Sequence, residues 1–333
     1  MTKTSYRAPF TRRAALAVAA IVVAGAGPGA ALAQAWPSKP ITIIVAYPPG
    51  GDTDAMARLY AEKLSARLGQ PVLVDNKPGA SGVIGSSQVA RATPDGYTLL
   101  LAPNTFSFAQ LVLKTSGSSS YDPLYGFAPI VQTSVQPMFI AASTASGIKD
   151  IDGLIAQAKA NPLSYASPGN GSPMHILGEM FNKSAGVKIS PIAYRGSGPA
   201  IVDLLGGHLP MMYTTLGPVS QHLASGKLVN IGVADAKRSP LQPNVPTLTE
   251  SGFKDSEVGA WQGFVGPKGL SPEIVRTLNG HLNEIIKAPD VATRMTALAL
   301  VPAGGEPAAI ARMTASDFSR YGKIIKEAGI QAD

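Results

Sequence analysis

A run too apolar to meet water on either side, cut by prolines and glycines and then followed by a helix, restricts the fold of this chain more than any other feature. Ile41-Thr42-Ile43-Ile44-Val45-Ala46 is continuously apolar rather than alternating. That is the mark of a parallel strand covered on both faces. Pro48-Pro49-Gly50-Gly51 breaks the backbone. Met56, Leu59, Tyr60, Leu64 and Leu68 then recur at helical spacing until Gly69, with Asp52 or Asp54 placed to cap the helix start. Pro71-Val72-Leu73-Val74 predicts a second strand. A loop over residues 76–82 leads into a small-residue helix toward Arg91, and Tyr97-Thr98-Leu99-Leu100-Leu101 predicts a third strand. Strands that alternate with helices in this way build a doubly wound α/β sheet.

The middle of the chain repeats the logic. A helix is expected from Ile151 to Ala160, and Ser164-Tyr165-Ala166 is a short strand leading into residues 167–172. Ser172 then Pro173 is an N-cap followed by proline at the first helical position. Ile176, Leu177, Met180 and Phe181 form the buried face of that helix. Ile192-Ala193-Tyr194 is a strand, and Arg195-Gly196-Ser197-Gly198-Pro199 opens another helix. Further strands are expected within 209–216 and 228–234, around a helix near 219–225. Ser271-Pro272-Glu273 starts an amphipathic helix, and a last one from about Pro307 to Ala328 is expected to pack on the first domain. Segments 127–143 and 258–267 are extended and apolar, and are expected to cross between domains. The predicted division is residues 36–137 with 260–333 as a discontinuous first domain and 138–259 as the second.

The beginning of the chain directs its destination. Arg12-Arg13 precedes an uncharged apolar run from Ala14 to Ala24, and Ala31-Leu32-Ala33-Gln34-Ala35 offers two overlapping A-x-A cleavage choices. Residues 1–35 therefore read as a signal peptide cleaved near Ala33 or Ala35, which places the mature protein in the periplasm. A membrane anchor is the weaker reading, because the apolar core is shorter than the roughly 20 residues a span requires. Thr11-Arg12-Arg13-Ala14 matches a twin-arginine signal only loosely, and an ordinary Sec leader fits equally. The 333 residues contain no cysteine, which excludes disulfides, thiolate zinc sites, cysteine nucleophiles and a lipoprotein anchor. Of 28 Lys+Arg, four lie in the leader and no acid does, so the mature balance is 24 − 21, or +3. No basic cluster of the kind nucleic acids require is present.

Three glycine-rich loops share one construction, each following a strand and opening a helix: residues 48–54, 167–172 and 195–199. Weaker versions occur at 78–82 and 103–105. In a doubly wound sheet such loops gather at the carboxyl ends of the strands, where free peptide N–H groups and helix dipoles favour an anion. None carries a phosphate-loop or dinucleotide pattern, so no cofactor is expected. His175, His208, His222 and His281 are scattered, without metal-ligand spacing, and no G-x-S-x-G occurs. No catalytic or metal site is expected. Three sets of residues stay open between uses. Asp52 and Asp54 are acid/base partners, cation ligands or, for one of them, a helix cap; His175 faces the cleft or is structural, and Asp203 reaches a ligand or the surface. Tyr47, Phe106, Phe108 and Tyr213 are candidates for either a pocket wall or the core.

The stretches that carry these loops also carry a resemblance. Trp36-Pro37-Ser38-Lys39-Pro40-Ile41, Tyr47-Pro48-Pro49-Gly50-Gly51 with Asp54, and Val74-Asp75-Asn76-Lys77-Pro78-Gly79-Ala80 are followed by Pro94-Asp95-Gly96-Tyr97, Tyr194-Arg195-Gly196 and Asp203-Leu204-Leu205-Gly206-Gly207. Later come Ser225-Gly226-Lys227-Leu228, Arg238-Ser239-Pro240, Val245-Pro246-Thr247-Leu248 and Glu250-Ser251-Gly252. In order and spacing the mature chain resembles the substrate-binding proteins of tripartite tricarboxylate transporters, the Bug or TctC-like receptors of bacteria. That resemblance implies a type II-like Venus-flytrap fold of the periplasmic binding proteins, with two doubly wound α/β domains joined by two crossing strands. It implies a small organic acid, a carboxylate or dicarboxylate, captured by domain closure and delivered by a monomer to a membrane permease of that transporter type. It also implies ligand contacts from Pro49, Gly50, Gly51 and Asp54, from Ala80 and Ser81, and from Asn104 and Thr105. In the second half it implies Ser167, Gly169, Asn170, Gly171, Ser172 and His175, then Arg195, Gly196 and Ser197, with Asp203 near the ligand; Tyr47, Phe106 or Tyr213 is expected to pack on the rest of the ligand. Asp52-Thr53 departs from the usual pattern, where smaller or apolar residues are expected. Pro210-Met211-Met212-Tyr213 replaces a stretch that often holds an acid and a phenylalanine, and Tyr321 stands where tryptophan is common. Two rival readings are a receptor that feeds a sensor and an exported α/β enzyme.

Overall fold

Eleven short strands fall into two sheets in the computed structural model, which describes residues 36–113, 120–167, 171–194, 197–254 and 256–331 together with 1, 2 and 4. The expected signal peptide otherwise lies outside the described residues. From Lys39 onward the chain forms one unit. The first part of the chain contributes β1 (Ile41–Val45), β2 (Val72–Asn76), β3 (Thr98–Pro103) and β4 (Phe127–Gln136). After these come β5 (Met138–Ser143), β6 (Leu163–Ser167), β7 (Ile189–Ala193), β8 (Met211–Thr215) and β9 (Leu228–Val233), and finally β10 (Ala260–Pro267) and β11 (Val301–Pro302). The described α-helices are α1 (Asp52–Leu68), α2 (Val83–Ala90), α3 (Ala109–Val112), α4 (Ile151–Ala160), α5 (Pro173–Ala185), α6 (Ser197–Leu205), α7 (Leu216–Ala224), α8 (Pro272–Ile286), α9 (Pro289–Ala297) and α10 (Pro307–Ala328).

The first sheet has the order β11-β4-β10-β3-β1-β2 and the second β7-β6-β8-β5-β9. β1 pairs in parallel with β2 and β3, Ile43 lying opposite Val74 and Leu99. β6 plays the same part between β7 and β8. Each sheet then admits an antiparallel strand in its interior, β10 between β3 and β4 and β5 between β8 and β9, and the first sheet adds the two-residue β11 antiparallel at its edge beside β4. The two interior strands are the ones that arrive from the other sheet. β5 follows β4 across Pro137, and β10 follows β9 after residues 234–259. The sheets are mixed for that reason.

Local signals explain the elements. Ile41, Ile43, Ile44 and Val45 are fully buried, as a strand covered on both faces requires. Gly69 ends α1 in the left-handed region at φ 65°, a conformation glycine adopts without a Cβ penalty. The Ser172 and Ser271 side chains accept the backbone N–H of His175 and Ile274 in the first turns of α5 and α8, each with proline at the start. Asp52 and Asp54 are not caps. Gly51 occupies the N-cap of α1 with no side-chain bond, and both acids lie inside the first turn. α7 begins at Leu216, ahead of the expected start near residue 219, because Pro218 falls in its first turn, where no N–H is needed.

Several apolar clusters result, two of them large. Ile44, Leu100, Phe106, Tyr121, Trp261 and Ile310 belong to one, and Ile140, Tyr165, Ile176, Phe181, Tyr213 and Ile231 to the other. Burying each such side chain contributes roughly 1.5–3 kcal/mol. Three aromatic candidates for the pocket wall are core residues: Phe106 stacks on Tyr121, Phe108 meets Tyr321 edge-on and Tyr213 meets Tyr165. The last helix reaches further than expected. α10 packs on β4 but also on α5 of the other half, with Lys183 Nζ 2.7 Å from Glu327 Oε2.

Candidate functional site

The loop after β1 is held in shape by a buried carboxylate. Gly50 adopts φ 93° and turns the chain toward α1. Its N–H donates to Asp54 Oδ2 at 2.9 Å, while Arg58 Nε and Nη2 donate to the two Asp54 oxygens at 3.1 and 3.0 Å. Asn76, at the end of β2, donates to Asp54 Oδ1 at 3.0 Å and to the Tyr47 carbonyl at 3.1 Å. Burial pushes the Asp54 carboxyl up, but the bonds from Arg58, Gly50 and Asn76 together outweigh it and hold it below the ordinary aspartate range.

The neighbouring loop is strained. Gly79, Ala80, Ser81 and Gly82 all take positive φ, 46° at Ala80 and 49° at Ser81. A left-handed non-glycine residue costs about 1–2 kcal/mol, so this turn persists because its surroundings hold it. Tyr47 supplies part of that hold. Its hydroxyl donates to the Ser81 carbonyl at 3.1 Å and lies 2.5 Å from Thr105 Oγ1. Burial, more than the Thr105 bond offsets, raises the Tyr47 phenol to about 12, so it stays neutral. Asn104 is buried and donates to the Gly259 carbonyl at 3.0 Å.

On the facing side, Gly171 sits at φ 70° before the N-terminus of α5. Its N–H donates to His175 Nδ1 at 3.2 Å, which leaves the ring proton on Nε2, 3.9 Å from Glu179 Oε1. Burial lowers the His175 pKa, so the imidazole is neutral. With Nδ1 taken by a peptide and Ser172 Oγ taken as a cap, this serine and histidine do not form a nucleophile–base pair.

Between these loops lies a cleft of about 720 Å³, within the range of small-molecule sites. Tyr47, Pro49, Gly51, Asp54, Ser81, Asn104, Thr105, Gly171, Ser172 and Ser197 line it. Gly50, Ala80, Ser167 and His175 do not line it; Ser167 and His175 are buried, and Gly50 and Ala80 are exposed. Asp203 is turned aside, its Oδ2 accepting the Tyr194 hydroxyl at 2.6 Å. Gly169, Asn170, Arg195 and Gly196 lie outside the described residues. The N-termini of α1, α5, α6 and α7 all open on the cleft, through Gly51, Ser172, Ser197 and Thr215 with Gly217. Each helix terminus favours an anion by about 0.3–1 kcal/mol, up to ~2 where partly buried. No lysine or arginine occurs among the described lining residues, and no metal-binding group of three ligands occurs among the described residues.

Comparison with known proteins gives the family. Residues 56–330 match the model of the tripartite tricarboxylate transporter family receptor, TctC. The chain belongs to that receptor family. It is 36% identical to protein BugT of Bordetella pertussis over 94% of this chain and 97% of that one. It is similar to the structure of the periplasmic binding protein BugD, with TM-score 0.75 and 34% identity over 90% of this chain and all of the other. A structure of R. palustris Rpa4515 with adipate superposes with TM-score 0.78 at 30% identity, again over 90% of this chain and all of the other. The fold is accordingly the two-domain α/β fold of periplasmic binding proteins, and the role is solute binding.

The sequence reading of the receptor site missed several lining residues. Asp52, which was read as a cap or acid, lies in the wall with Thr53. Gln136, Ala260, Trp261 and Gln262 come from the crossing strands, and Ala297 with Leu298 from the end of α9. Thr215, Gly217 and Pro218 form a fourth strand-to-helix junction, where β8 passes directly into α7 and which the Gly-Pro pair could have flagged. Trp261 Nε1 donates to Asp317 Oδ2 at 2.8 Å. Burial raises the Asp317 carboxyl to about 6 despite that bond.

Proposed function

We propose that this receptor works in the periplasm, after loss of a leader cleaved near Ala33 or Ala35. There it captures a small organic acid by closing two lobes over it and delivers the acid to a membrane permease of the tripartite tricarboxylate type. The lobes are residues 36–137 with 260–333, and 138–259, hinged where β4 passes into β5 and where residues 234–259 return, and the protein acts as a monomer. The observation that carries the reading is the meeting of four helix N-termini around a cleft whose described walls offer no cationic side chain. Peptide N–H groups there replace the water around a carboxylate, and Val112, Leu113, Trp261 and Leu298 cover the carbon chain. The adipate bound by Rpa4515, a relative of the same fold, supports the ligand class.

A calorimetric screen of mono- and dicarboxylates against the purified mature protein tests this. At least one acid is expected to bind well below millimolar, with titration heats that vanish for its methyl ester. Binding of sugars or cations alone, with every acid weaker than millimolar, overturns the carboxylate reading.

A further inference from the structure

The floor of the cleft, where the crossing strands lie, has more hydrogen-bond acceptors than donors to match them. Asp52 lines the cleft, with Oδ1 accepting the Thr53 N–H at 2.8 Å and Oδ2 accepting Gln136 Nε2 at 3.0 Å. Thr53 Oγ1 also donates to Oδ1, at 3.4 Å; each carboxylate oxygen has two lone-pair sites, so Oδ2 retains one. Gln136 ends β4 opposite Ala260, and Gln262, two residues along β10, has its side chain on the same face of that ladder. Gln262 lines the same cleft, is 2% exposed, and its Oε1 has no partner among the described residues. A buried amide oxygen without a donor is a costly exception in native structures, and a ligand that supplies the donor removes the cost.

The two ends of the cleft therefore ask for opposite things. Helix N-termini favour a carboxylate, whereas the floor presents a carboxylate and an orphan carbonyl. We infer that the floor selects an acid that carries a hydrogen-bond donor, a hydroxyl or an ammonium, and rejects a second carboxylate there, with Asp52 as the specificity-determining residue. The inference rests on the receptor reading above and narrows its ligand class. A like charge at Asp52 repels a dicarboxylate, and loss of a donor strands Gln262.

The test is a calorimetric comparison on the mature protein of four straight-chain acids of one length: the monocarboxylate, its terminal hydroxy and amino derivatives, and the dicarboxylate, in the four-carbon and five-carbon series. The wild type is expected to bind a hydroxy or amino acid about tenfold or more tighter than the matching dicarboxylate. The hydroxy and amino arms separate a neutral donor from a cation. Asp52→Asn is expected to shrink that ratio to about threefold or less, chiefly by tightening the dicarboxylate. Gln262→Met, an apolar replacement at a second position, is expected to weaken only the donor-bearing acids. A dicarboxylate that binds tightest to the wild type, or a ratio unchanged in both variants, overturns the inference while leaving the receptor reading intact. Failure of every acid to bind the wild type overturns the receptor reading and the inference with it.

Discussion

Asp54→Asn should cost far more than its conservative chemistry suggests, and the cost should depend on pH. Asp54 is only 4% exposed and accepts four hydrogen bonds, from Gly50, Asn76 and twice from Arg58. An asparagine keeps one acceptor oxygen and turns its NH₂ toward the remaining donors. Hydrogen bonds to a buried charged group contribute about 1.5–3 kcal/mol each. The Arg58 side chain is 55% exposed, so its share is screened and falls at the low end. The sum is about 2–4 kcal/mol at pH 7. The pKa of Asp54 is lower in the folded protein than in the unfolded chain. Its stabilisation is thus present above the ordinary aspartate value near 3.9 and is lost as pH falls through the folded-state value. Urea unfolding of wild type and Asp54→Asn should show the widest gap at neutral pH and a narrowing gap below about pH 4. A difference under about 0.5 kcal/mol at pH 7, or one that stays constant into acid, would refute the clamp and leave Asp54 as mere packing.

Asp317 should behave with the opposite sign. Burial raises its folded-state pKa from 3.8 to about 6, so stability falls as pH climbs between those values, by roughly 3 kcal/mol at about 1.4 kcal/mol per pH unit. Asp317→Asn keeps an acceptor for Trp261 and should raise the melting temperature at pH 7 but not at pH 4; an equal effect at both would sink the argument. Gly171→Ala should destabilise by about 2–3 kcal/mol, from left-handed strain plus crowding, since its Cβ would lie 2.6 Å from both Val112 methyl carbons. Val112→Ala in the same chain should recover part of that loss in a double-mutant cycle, and zero coupling would show the contact to be unimportant.

What the amino-acid sequence discloses here is set by the range of the interaction. Ile41 to Val45, Ser172 with Pro173, and Ser271 with Pro272 are decided within a few residues, so strand type and helix starts are readable directly. Asp54 is ambiguous in sequence because its partners Gly50, Arg58 and Asn76 come from a loop, a helix and a strand, and nothing local distinguishes a clamp from a cap. Asp203 and Tyr194 are nine residues apart and meet only because β7 and α6 fold together. Gln136, Trp261 and Gln262 had no motif at all. They reach the cleft by strand order, in which β10 inserts beside β4 from more than a hundred residues away. Phe108 and Tyr213 were undecidable from hydrophobicity, because core and pocket wall attract the same side chains.

The exchange of one strand between the sheets bears directly on the proposed closure. The β4–β10 ladder ends at Gln136 opposite Ala260, and the β5 ladders begin at Met138 opposite Thr215 and Phe139 opposite Val233. Only Pro137 separates the two on one strand, and on the other the Ala234 N–H reaches Met138 O while Val258 N–H reaches Ala234 O. Bending at this seam changes torsions around Pro137 and Gly259 without breaking a ladder in either sheet. A hinge so placed lets two rigid sheets move while their hydrogen bonds persist. In the proposed closure the helix N-termini of α1 on one side and of α5, α6 and α7 on the other would swing together around the polar floor between them. Neither lobe alone supplies the N–H groups that would replace the water around an acid, so the free energy of binding an anion is also the free energy that would favour closure.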